Sequence, residues 1–283
     1  MKKLIPALCM LLVAAALLGT STFAWFSMNR TVTASSMQIK ATTGSDLYIL
    51  NGTVDSSGTN PKWAAAPDVA TIAASKLAEI TDLAVYANSM ATLAPASTSD
   101  FATFFYVDDA KGIAAGGSAY ATAPGADEVK SVSYSGDNLD AAKEYVQAAR
   151  CYLAVQEETA KTYTSLDCKV SIAATSAKAD MLNTIRVAVI VEGEGTTAIK
   201  VWSADGDDAT KPLSGVTTIG AAQSCEKSGE SATVVTSPKG LEVYTVTVLV
   251  WFEGQDDACV NANALNSDDY TIGLEFNLVG VGA

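Results

Sequence analysis

Residues 243–252 read VYTVTVLVWF, and Tyr244, Val246, Val248, Val250 and Phe252 recur at every second position. A β-strand turns successive side chains to opposite faces, so this spacing sets all five on one side of a pleated sheet. The same period returns at Ile272, Leu274, Phe276 and Leu278, with Glu275 and Asn277 opposite them. It returns again at Ile185, Val187, Val189 and Val191, with Arg186, Ala188 and Ile190 on the other face. Leu166, Val170 and Ile172 mark another strand, and residues 198–202 one more. Residues 187–193 and 248–254 echo each other, both apolar runs ending in Glu-Gly. Duplication and convergent strand-end chemistry explain that echo equally well.

No regular βα unit separates these strands. Short alternating strands joined by Gly, Asn and Asp turns predict an all-β fold: an antiparallel β-sandwich, jelly-roll-like, with long loops and room for one short helix. Working towards the N-terminus, residues 101–107 (FATFFYV) read as a buried strand and residues 129–134 as a short one. Residues 140–156 fit a helix or a long strand, and residues 76–99 are ambiguous. Residues 30–40 (RTVTASSMQIK) and 47–50 (LYIL) are extended. Asn51-Gly52, Ser57-Gly58 and Asn60-Pro61 mark residues 51–75 as surface loop, and the glycines of residues 108–127 mark a second.

The chain opens Met1-Lys2-Lys3, runs uncharged through residues 4–18, and then passes through small residues to Ala24. Basic start, apolar middle and small exit are the parts of a secretion signal. The reading is a signal over residues 1–24, cleaved between Ala24 and Trp25, then an N-terminal segment over 25–40 and a body over 41–283. The apolar run is shorter than the ~20 residues a spanning helix needs. A retained anchor is the alternative, because Phe23, Trp25 and Phe26 lengthen the run. Loss of Lys2 and Lys3 takes the net charge from −13 to −15. Such a surface repels phosphate backbones, so no nucleic acid partner is expected.

Histidine is absent from the chain. That removes the commonest general base near neutral pH, the Ser-His and Cys-His nucleophiles, and the commonest zinc ligand. No catalytic, cofactor-binding or metal-ligating residues are nominated, and the chain is read as not an enzyme. Asp205-Gly206-Asp207-Asp208 and Asp256-Asp257 offer loop oxygens of the kind calcium takes, but solvated aspartates in hairpin turns explain them more simply. Trp202, Tyr244 and Trp251 could stack on a glycan, though their places inside alternating strands favour packing. Beyond the signal lie Cys151, Cys168, Cys225 and Cys259, an even number that suits disulfides in an exported chain. Three connectivities are open. Cys151–Cys168 and Cys225–Cys259 are preferred, since each pair would bracket a hairpin or neighbouring strands.

The junction LLGTSTFAWF at residues 17–26, followed by Asn29 and the strand through Lys40, resembles the N-terminus of the TasA/camelysin family of exported Gram-positive proteins. The resemblance implies removal of the signal by a dedicated signal peptidase, with Ala24 last and Trp25 first in the mature chain. It also implies a secreted, extracellular or cell-surface subunit of a biofilm-matrix fibre, a homo-oligomer with no membrane attachment after cleavage. Its N-terminal strand would complete a neighbour's sheet. Carried onto this chain, the donor is residues 25–34, with Phe26, Met28 and Val32 as the inserting side chains. This chain departs from the pattern at Trp25, Ser27 and Met28, and in its four mature cysteines. The alternative is a monomeric or membrane-anchored surface β-sandwich that binds glycan or calcium. A head-to-tail strand donation does not close on itself and therefore propagates as a filament.

Overall fold

A computed structural model describes residues 34–43, 47–86, 93–107, 129–155, 163–174, 181–193, 196–206, 224–254, 256 and 268–280. The first half of the chain supplies β1 (Ala34–Thr43), β2 (Leu47–Asn51), β3 (Val54–Asp55), β4 (Lys62–Trp63), β5 (Glu79–Ile80), β6 (Val85–Tyr86), β7 (Thr103–Val107) and β8 (Val129–Ser133). The second half supplies β9 (Gln147–Val155), β10 (Ser165–Ala174), β11 (Ile185–Gly193), β12 (Thr196–Ser203), β13 (Glu226–Lys227), β14 (Ser231–Thr236), β15 (Val243–Phe252) and β16 (Asp268–Val279). The short helix α1 (Val69–Ser75) interrupts the residues read as loop. Asp68 caps it by accepting from the Thr71 amide at 2.8 Å, and Lys76 ends it in the left-handed region at φ 48°.

Two sheets pack as the expected sandwich. One runs β14-β10-β16-β1-β5; the other runs β13-β12-β11-β15-β9-β2, with β6 also on the β9 edge. The two strands that echo each other in sequence are central neighbours, pairing Val187 with Val250 and Val189 with Val248. Within residues 140–156, left between helix and strand by the sequence, 147–155 form β9, whose alternate residues Ala149, Cys151, Leu153 and Val155 enter the core.

The pairing is mixed rather than wholly antiparallel. β1 lies parallel to β16 from Ala34 opposite Asp268 to Thr43 opposite Phe276, and β12 pairs β13 in parallel at Trp202 and Ser203. A parallel pair needs a long crossover. Here the whole body of the protein lies between its first and last strands, a connection that local alternation does not reveal.

The inner core fills the space between the sheets. Val187, Val189, Val246, Val248 and Phe252 meet Ile39, Val170, Ile272, Leu274 and Phe276, all buried. A second core covers the outer face of the larger sheet, where Trp63, Phe101, Phe104, Leu139 and Val146 pack on Ala188, Leu249 and Trp251. The larger sheet is therefore buried on both faces over this region. That explains why β11 and β15 are apolar at nearly every position rather than at alternate ones.

The hairpin or neighbouring-strand setting expected for Cys151 and Cys168 is not what the fold shows. Cys151 on β9 and Cys168 on β10 sit in opposite sheets rather than on a hairpin, and both are fully buried free thiols. Cys225 is half-buried, and Cys259 lies outside the described residues. Burial pushes the Cys151 thiol up to about 12. Burial likewise lifts Cys168 well above its ordinary value, with smaller contributions from Cys151, Asp167 and Glu275.

Candidate functional site

A buried polar cluster closes one end of the larger sheet. Arg186, the second residue of β11, stands in register between Ser203 on β12 and Trp251 on β15. Its side chain is wholly buried and pairs with Asp256, Nη2 to Oδ2, at 2.8 Å. Arg186 Nη1 also donates to the Asn183 carbonyl. Close by in the chain, Glu253 is fully buried and accepts from Ser97 Oγ and, at 3.2 Å, from Trp251 Nε1. Backbone bonds join the same pieces: Glu253 N–H to Thr184 O at 2.7 Å, Gly254 N–H to Ala96 O at 3.1 Å, and Ala96 N–H to Phe252 O at 3.1 Å.

This arrangement ties residues 96–97 and the turn at 181–184 to the end of β15. Chemically it is a set of satisfied charges sealed from solvent. A serine beside a carboxylate is a nucleophile–base pairing in an open cleft, but Ser97 and Glu253 are each 0% exposed, which leaves a substrate no approach. Sequence reasoning placed Arg186 on the second face of a strand and went no further. The available signal was its setting, IRVAVIV, in which an isolated charge lies within a run too apolar for a half-solvated strand.

The next turn is similarly self-contained. Burial pushes the Asp100 carboxyl up, but the amides of Thr103 and Ala102 and the Thr98 hydroxyl outweigh that and hold it below the usual range. Phe101, the following residue, takes a positive φ of 58° and lies beside Trp251 with ring centroids 6.1 Å apart. A bulky residue in that region is strained, and the bonds around Asp100 together with the packing on Trp251 hold it there.

Of the calcium candidates, the two described, Asp205 and Asp256, each have other partners. Asp256 is occupied by Arg186, while Asp205 lies on the turn after β12 and accepts from Ser203 Oγ at 3.2 Å. Asp207, Asp208 and Asp257 fall outside the described residues, and among those described no group of three His, Cys, Asp or Glu side chains could hold a metal ion. Trp202, Tyr244 and Trp251 are at most 1% exposed, so packing accounts for all three. Ala24, Trp25, Phe26, Met28 and Val32 also fall outside the described residues; the description opens at Ala34, the first residue of β1.

The sheet margins differ in how they end. β2 is backed by the Ile49 N–H bond to Leu77 O at 3.0 Å. β1 is met by β5 at Ala41 and Thr42, by the Leu83 N–H on Ile39 O at 2.9 Å, and by its own Thr43 N–H on Ala78 O at 2.8 Å. On the opposite side of the sandwich, β14 pairs with β10 alone among the described residues. Nearby, among the described residues, β12 meets β13 only at Trp202 and Ser203, leaving residues 196–201 paired on one side. Among the described residues no helix is long and apolar enough to cross a membrane. Comparison with known protein families, curated proteins and solved structures finds no match to this chain.

Proposed function

We propose that this protein is an exported structural subunit that assembles head-to-tail into an extracellular fibre by donating its N-terminal segment to a neighbour's sheet. The observation that carries the reading is the pattern of the residues that precede β1. Those preceding residues, WFSMNRTVT, place Phe26, Met28 and Val32 on one face of an extended strand together with Arg30, the only charge in the segment. A strand of that pattern supplies main-chain bonds to a free edge and apolar side chains to the groove beneath it.

The buried polar cluster supports a structural role in a second way. Its charged groups are satisfied within the body, as in a protein whose work is to hold shape. The resemblance of residues 17–40 to exported matrix-fibre proteins points in the same direction. The reading expects export to leave Trp25 as the first residue, which N-terminal sequencing of extracellular protein checks. It also expects the mature chain to form filaments visible by negative-stain microscopy. A chain beginning at Ala34 should stay folded and monomeric by circular dichroism and light scattering. Equal polymerisation of the two would overturn the proposal.

A further inference from the structure

We infer that the acceptor for this donated strand is the outer edge of β14, which has no strand partner but β10 among the described residues, and that its occupant is residues 25–33 of a second copy of the chain. The inference rests on the fibre reading above and adds the surface that receives the strand.

The margins narrow the choice: among the described residues β12 also leaves 196–201 paired on one side, but that edge carries Lys200, a guarding charge already paired with Glu226. β5 and β13 are two residues each, too short to template a strand. β2 is covered by residue 77, and the outer side of β1 is occupied at 39, 41, 42 and 43. β14 offers six residues, SATVVT, without a charge or a proline. Natural edges are usually guarded by charge, proline, bulges or very short length, unless they are used. The guard on β14 is one register shift, where Val235 faces Leu166 and Thr233 faces Asp167, leaving Val234 between them. A strand laid along this edge would extend the sheet β14-β10-β16 by main-chain bonding.

The surroundings suit this occupant. Ala232, Val234 and Val235 turn into the inner core beside Trp202, whose indole donates to Glu230 O at 3.0 Å. An added strand would bring Phe26, Met28 and Val32 to the rim of that apolar interior. Ile199 on β12, on the same side of the sandwich, is 40% exposed, an apolar side chain that a neighbour would cover. Glu226, Glu230 and Asp205 lie along this side with Lys200 and Lys227, and Lys200 is already paired with Glu226 at 3.6 Å. The donor brings Arg30 and no carboxylate to a body of net charge −16, the chain's −13 without Lys2, Lys3 and Arg30.

The test uses the full mature chain carrying Asn29→Cys with Thr233→Cys, and a second chain carrying Asn29→Cys with Gln38→Cys on β1. Each is assembled and oxidised with oxidised glutathione, then resolved on non-reducing gels and by peptide mapping. The expected result is a ladder of interchain disulfides joining positions 29 and 233, with no 29–38 link. Filaments that form without the 29–233 link, or that link 29 to 38, overturn the β14 assignment and leave the fibre reading standing. Absence of filaments and of any ladder overturns both. Hydrogen exchange on the unsubstituted chain checks the same point should a variant fold poorly. Amides of Ser231–Thr236 should exchange about tenfold or more slower once assembled. Unchanged exchange there in filaments also overturns the assignment.

Discussion

The two faces of the larger sheet are buried by different means. The inner face meets the second sheet through aliphatic side chains at period two, and Val187, Val189, Val246 and Val248 need only be apolar and of the right volume. The outer face is covered by irregular segments around short strands. It is held by particular contacts: the edge-to-face pair of Phe104 and Trp251 at 5.9 Å, the Arg150 guanidinium 5.3 Å over the Trp63 ring, the Trp63 Nε1 bond to Tyr134 Oη at 3.2 Å, and the Arg186–Asp256 ion pair. Repetitive packing distributes its energy over many interchangeable side chains. A cover made of loops concentrates it in a few groups that fail when one partner is removed.

Asp256→Ala should show the sharpest failure. It strands the buried Arg186 charge and should cost about 3–5 kcal/mol, read as a lower urea midpoint. The double variant Asp256→Ala with Arg186→Met removes the stranded charge and should recover most of the loss. A double variant no better than the single would mean that the pair acts through something other than its charge. On the inner face, Phe276→Ala should cost a comparable 3–5 kcal/mol, but by leaving a cavity. There Phe276→Leu should recover much of the loss, because volume rather than charge is what the site requires.

Smaller effects sharpen the same contrast. The Asp100 carboxyl is held below its unfolded value, so its contribution is present above roughly pH 4 and fades as pH falls through the lower folded value. Acid should therefore loosen the turn at 98–103, followed by the fluorescence of Trp251 against which Phe101 and Phe104 pack. Asp100→Asn should flatten that pH dependence, and an unchanged acid profile would remove Asp100 from the cover's anchors. The smallest effect concerns the thiols. In the native chain Cys151 and Cys168 should resist alkylation, and Cys151→Ala should leave assembly unchanged. Labelling of either core cysteine without denaturant would show that the inner core opens more readily than its packing implies.

The same difference explains what could be read in advance. Inner-face strands announce themselves, because Tyr244 through Phe252 and Ile272 through Leu278 repeat at the sheet's own period. Pairing between strands distant in sequence does not announce itself, which is why the parallel contact of β1 with β16 emerged only from the structure. The same limit applied to Cys151 and Cys168, which are near in the chain but belong to opposite sheets. Arg186 and Asp256 are separated by 70 positions, and nothing in the local pattern of either names the other. Helix α1 carried a legible signal in Asp68 capping the Thr71 amide, but the surrounding turn residues masked it.

The central claim, that residues 25–33 act as an inserted strand, is tested most directly by side-chain alternation within the full mature chain. Two variants are compared by light scattering and negative-stain microscopy: Phe26→Asp with Met28→Asp, and Ser27→Asp with Asn29→Asp. Both add the same charge to the same segment, but in an inserted strand only the first pair would place carboxylates in the apolar groove, where an unpaired charge is costly. The account expects filaments to be lost with Phe26 and Met28 replaced and largely retained with Ser27 and Asn29 replaced. Equal loss in both would mean that charge alone governs assembly, and equal retention would mean that the segment is not the donor.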